Sequence, residues 1–172
     1  MNPPDAFQTI AEVAIGLAGF SGLLVAFRRS AGPLSNVQKY RMRILFALSF
    51  GALFLSLLPA IILNLDVSED RLWIYSSLAM SVYSSYFLAW WLYTSQRTVK
   101  KYPEIFDRWV FLTMTTGHIL NLVLQLFVVF KLIDSGHAGI FLIGLAWYLI
   151  NASQQFVRML FIQPQELPDV QS

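Results

Sequence analysis

The chain contains no cysteine, which excludes disulfides, thiolate metal sites and cysteine nucleophiles. Its two histidines are too few for a histidine-built metal centre, so neither metal nor other cofactor is expected. Charge is also scarce: 13% of residues are Asp, Glu, Lys or Arg, against 56% that are hydrophobic. A soluble segment of any size is missing too. About 114 of the 172 residues fall in five apolar blocks, and the longest connection between blocks is 28–43. One membrane domain over 1–172 is the organisation this predicts.

The blocks are 7–27, 44–65, 72–95, 109–132 and 138–160. As helices of this length they reach roughly 31 to 36 Å, enough for a hydrocarbon layer of about 30 Å. The predicted fold is therefore all-α, a polytopic transmembrane helical bundle of five spans.

Lys and Arg alternate along the connections in the numbers five, one, four and one. The rich connections hold Arg28, Arg29, Lys39, Arg41 and Arg43, then Arg97, Lys100, Lys101 and Arg108; the poor ones hold Arg71 and Lys131. Excess Lys and Arg in short connections marks the cytoplasmic side, which places the N-terminus outside and the C-terminus inside. Arg158, at the inner end of the last block, agrees. A cleaved signal peptide begins with a basic region, whereas here the basic pair follows the first block and Glu12 lies within it. The first block reads as a retained anchor. With Glu12, Gly16, Gly19 and Gly22 it is the least lipophilic of the five, and an interfacial or re-entrant course would move only the N-terminus to the other side. Short connections and a retained first block suit a plasma membrane, specifically a bacterial inner membrane. The net charge of +2 belongs to membrane-edge anchors, so the lipid bilayer and not nucleic acid is the expected partner.

Gly32-Pro33 breaks the first long connection, and Ser35 is placed to cap a short run through Gln38. Residues 97–109 alternate basic side chains with Tyr102, Phe106 and Trp109, a pattern for anchoring at headgroup depth or for recognising anionic lipid. Asp66, Glu69 and Asp70 form an acidic outer turn that serves solvation or draws cations to a pore mouth.

Placed at roughly 100° per residue, the first span shows three faces. Ala11, Ala14, Ala18 and Gly22 make a small face for helix packing; Ile10, Val13, Leu17 and Phe20 make a bulky one; Glu12, Gly16 and Gly19 share the third. Glu12 stands roughly 8 Å inside the hydrocarbon region by helical rise. Such a carboxyl is a neutral hydrogen-bonding group, a pathway carboxylate or a partner-binding group. The fourth span carries Thr115, His118, Asn121 and Gln125 near one face, and the fifth carries Trp147, Asn151, Gln154, Gln155 and Arg158. Counted from the outer edge, Asn121 and Gln125 fall near the level of Glu12, with His118 and Asn151 nearer the middle. A polar track from an outer carboxylate to an inner cation follows, bordered by Ser49, Ser56, Ser76, Ser77, Ser81, Ser84 and Ser85. Interhelical hydrogen bonding accounts for the same residues equally simply. Pro59 frees the carbonyl of Leu55 and marks a kink or hinge.

Gly19-Phe20-Ser21-Gly22 resembles the GxSG of rhomboid intramembrane proteases. That resemblance implies a serine paired with a histidine on another span, here Ser21 with His118. It covers four residues; rhomboids place their serine in the fourth of six spans and this chain places it in the first.

Two function classes are expected, neither an enzyme. One is a homo-oligomeric ion channel or pore using Glu12, His118, Asn121, Gln125, Asn151, Gln154 and Arg158. The other is a non-catalytic anchor or scaffold subunit, with a protein partner at the cytoplasmic connections. A hydrated lumen predicts polar stripes turned to one axis; a scaffold predicts that they interlock within one protomer.

Overall fold

The structure, a computed structural model, describes residues 3–29, 36–101 and 108–161. They form five helices: α1 Pro3–Arg29, α2 Asn36–Leu63, α3 Glu69–Lys101, α4 Arg108–Val129 and α5 His137–Phe161. Each matches one apolar block, and α2 and α3 run well past theirs at the basic ends. Gln38 belongs to α2 itself; Ser35, Tyr102 and Phe106 lie outside the described residues.

Local chemistry sets the helix ends. The Ser68 carbonyl accepts the first bond of α3, from Leu72 N at 2.9 Å, and Glu69 and Asp70 put negative charge at the positive end of that helix. The acidic turn is thus also a helix start. α4 closes with a Schellman pair: Leu132 N donates to Phe127 O at 2.8 Å and Lys131 N to Val128 O at 3.1 Å, with Lys131 in the left-handed region at φ 54. α2 continues unbroken through the buried Pro59.

Four helices are long and apolar enough to cross a membrane: α1 over Asp5–Leu23, α2, α4 and α5. α3 is the longest helix, at 33 residues, yet falls outside that set. It is uncharged from Leu72 to Gln96 but spends its length on Ser, Tyr and Trp. Most of those serines point inward, where Ser76, Ser77, Ser81, Ser84 and Ser95 are buried, while Ser85 is exposed.

The helices alternate in direction. At one end Phe7 of α1, Trp73 of α3 and Phe141 of α5 pack ring on ring with centroids 6.0 to 6.2 Å apart. At the other, Tyr40 of α2 stacks on Trp91 of α3, and Trp91 on Phe111 of α4. α1 packs on α2 and α5, α2 on α3 and α5, and α4 on α3 and α5. The core is continuous along the bundle, from Phe7 and Trp73 through Leu48, Met80 and Leu145 to Trp91 and Met114.

Candidate functional site

The polar residues of α3, α4 and α5 meet inside one protomer. Buried positions on α3 recur every three or four residues, so Ser77, Ser81 and Ser84 share its inner face with Met80 and Phe87. Ser84 Oγ shares a hydrogen bond with the Tyr148 hydroxyl of α5. Asn121 Nδ2 of α4 donates to the same Ser84 oxygen at 3.5 Å, and Gln125 Nε2 donates to Asn121 Oδ1 and to the Ile140 carbonyl of α5, both at 3.2 Å. Two turns towards the basic end, Gln155 Nε2 reaches Met114 Sδ at 3.4 Å. Asn121, Gln125, Tyr148 and Gln155 are all buried.

Two glycines admit this network. A Cβ at Gly144 would stand 2.5 Å from Asn121 Oδ1 and 2.6 Å from Met80 Sδ, and one at Gly117 would overlap the Trp147 indole. Bare backbone on α4 and α5 is therefore what lets the side chains cross between helices.

His118 is fully buried among rings: Phe87 at 4.8 Å, Tyr148 at 5.7 Å and Trp147 at 6.2 Å between centroids. Neither of its nitrogens has a hydrogen-bond partner among the described residues, and the same holds for Trp147 Nε1, Gln125 Oε1 and the hydroxyls of Ser49, Ser76 and Ser77. His118 and the Asn121–Gln125 pair share a face of α4 but no hydrogen bond. No three His, Asp or Glu side chains converge as metal ligands among the described residues.

The remaining predicted residues disperse. Asn151 turns its amide onto Trp147 O of its own helix at 2.7 Å. Gln154 and Arg158 are half-buried, and the Arg158 carbonyl accepts from Arg41 Nη1 at 3.3 Å. Glu12 stands apart from Asn121 and Gln125: it is exposed on the outer surface of α1 and accepts a hydrogen bond from Gln8 Nε2 at 2.9 Å.

The faces of α1 separate cleanly. Ala11 and Ala14 are buried against the bundle and Ala18 is half-buried, whereas Gly22 is exposed. A Cβ at Gly16, Gly19 or Gly22 would meet nothing within 4 Å. The glycines of α1 thus take no part in packing this protomer. Ser21 is buried with its hydroxyl on the Leu17 carbonyl, and α1 does not pack on α4, the helix that carries His118.

Sequence periodicity found Asn121, Gln125 and Gln155 but passed over Tyr148, Gly117 and Gly144, and Arg41, read as part of a connection, lies inside α2. Tyr148 shares a helical face with Asn151 and Gln155 by its offsets of three and seven, a signal masked by its aromatic type. An apolar groove of about 950 Å³ also runs between α2 and α3, walled by Phe46, Phe50, Phe54, Tyr75, Val82 and Tyr86. Comparison with family models, with curated proteins and with solved structures finds no match for this chain.

Proposed function

We propose that this chain is a non-catalytic, membrane-embedded scaffold subunit that self-associates through the outward face of α1. The observation that carries this is the division of polar groups: those of α3, α4 and α5 interlock within one protomer, while Glu12 faces outward. Interhelical hydrogen bonds in membranes contribute about 0.6 kcal/mol each, so the inner network serves to hold helices in register. A carboxyl in the hydrocarbon region costs about 3 kcal/mol, and an outward Glu12 calls for a second polar surface to meet it. Gly16 and Gly19, one and two turns along the same face, permit the close backbone approach that such an encounter needs.

In this account five helices span, the N-terminus is outside and the C-terminus inside a bacterial-type plasma membrane. The distribution of Lys and Arg supports the direction. The amphipathic make-up of α3, with serines inward and Leu78 and Val82 outward, supports its crossing as the fifth span.

A homo-oligomeric pore is the second reading, favoured by the exposed Gln8–Glu12 pair. Copies of Glu12 around a symmetry axis would then line the pathway in place of the core residues His118, Asn121 and Gln125. Ion flux into liposomes holding purified protein separates the two. The scaffold reading expects flux at background level for wild type and for Glu12→Gln alike. Wild-type flux that Glu12→Gln abolishes establishes the pore instead.

A further inference from the structure

Among the described residues, Arg41 is a buried cation without a carboxylate partner. Its side chain is 6% exposed, and its one hydrogen bond among the described residues runs from Nη1 to the Arg158 carbonyl at 3.3 Å. That carbonyl lies in the last turn of α5, where backbone acceptors have no partner within the helix. The helix end supplies about half a negative charge. Against this stand two full positive charges, since the residue whose backbone Arg41 touches, at 3.3 Å, is itself an arginine. A guanidinium has five N–H donors in a planar fork, and among the described residues one is used here.

Nothing nearby among the described residues restores the balance. Asp5, Glu12, Asp66, Glu69, Asp70 and Asp134 all lie towards the end of the bundle where α1, α3 and α5 begin. Arg41 and Arg158 lie at the opposite end, with Lys39, Arg43, Arg97, Lys100 and Arg108. Two arginines held together at a helix end match a doubly hydrogen-bonded oxyanion, and phosphate is the one that two planar forks grip best.

We propose that Arg41 and Arg158 together bind one phosphate group, from an anionic phospholipid of the adjoining leaflet or from phosphate in solution. Arg41 provides the fixed half of the site because the α5 carbonyl orients it. Arg158, half-buried at the edge, closes on the phosphate from outside.

Native mass spectrometry of the full chain in mild detergent tests this with three probes: phosphatidylglycerol, phosphatidylcholine and inorganic phosphate. One phosphatidylglycerol is expected to stay bound per chain where phosphatidylcholine does not. Arg158→Gln, which keeps the backbone carbonyl that orients Arg41, is expected to weaken binding at least tenfold; Lys100→Gln, at the same end, is expected to leave it unchanged. Retention that millimolar inorganic phosphate fails to displace assigns the site to a lipid headgroup, and displacement assigns it to the bare anion; either supports the proposal. Equal binding by wild type and Arg158→Gln, equal weakening by Lys100→Gln, or no retained anion in any form overturns it. Arg41→Gln is read only together with a thermal melt that reports whether the bundle is intact.

Discussion

Tyr148 and Ser84, 64 residues apart in the chain, share a hydrogen bond at the centre of the bundle and thereby tie α5 to α3. Asn121 donates to the same serine oxygen, so three helices meet on one atom. Tyr148→Phe keeps the ring and removes the hydroxyl; it is expected to lower stability by about 1 kcal/mol, read as a fall in the melting temperature in detergent. Removing both partners, as Tyr148→Phe with Ser84→Ala, is expected to cost less than the sum of the two single changes, because no hydroxyl of the pair is left without the other; the Asn121 amide loses its serine acceptor in Ser84→Ala and in the double variant alike.

The glycines divide into two classes that a single assay distinguishes. Gly144→Ala and Gly117→Ala force a methyl into Asn121 and Met80 or into Trp147, and are expected to destabilise by about 1–3 kcal/mol or more. Gly16→Ala and Gly19→Ala meet open space within the protomer and, Ala being the better helix former, are expected to leave its melting temperature unchanged or slightly raised. Their effect is expected on association instead, as a shift from oligomer to monomer in mild detergent.

His118 fills a ring-lined site without a hydrogen bond among the described residues. His118→Phe is expected to be neutral or stabilising, since it replaces an unsatisfied polar ring by an apolar one of similar shape. His118→Ala is expected to lower stability by about 3 kcal/mol through the cavity it leaves. A large loss in His118→Phe, seen in the same melt, would show that the imidazole nitrogens hold a partner essential to the fold.

Lys131 occupies the left-handed cap position of α4 at φ 54, where a Cβ is disfavoured. Lys131→Gly is expected to raise stability by about 0.5–1 kcal/mol, measured as a higher melting temperature with no change in oligomeric state.

Helix number and order were legible because apolar blocks of this length have few other solutions. The buried amides were legible for a related reason: Asn121, Gln125 and Gln155 are polar exceptions in apolar helices, and their offsets put them on recognisable faces. Tyr148 and Trp147 gave no such contrast, since an aromatic residue on a membrane helix looks like packing until its hydroxyl or indole is located. Glu12 shows the opposite limit. Its depth along the helix was countable from the sequence, but which of three directions it faces depends on how α1 sits against α2 and α5. The glycines followed suit: those of α1 stand out by clustering, while Gly51, Gly117 and Gly144, isolated in sequence, are the ones with a neighbour where a side chain would be.

Self-association through α1 is most directly tested by disulfide trapping in native membranes, for which the cysteine-free chain needs no background removed. Single substitutions Gly16→Cys and Gly19→Cys are expected to give covalent dimers on mild oxidation, whereas Val82→Cys at the α2–α3 groove and Gly139→Cys at the start of α5 are expected to stay monomeric. Dimers from Val82→Cys with none from Gly16→Cys or Gly19→Cys would contradict the account, by placing the interface at the groove and leaving Glu12 without a facing copy.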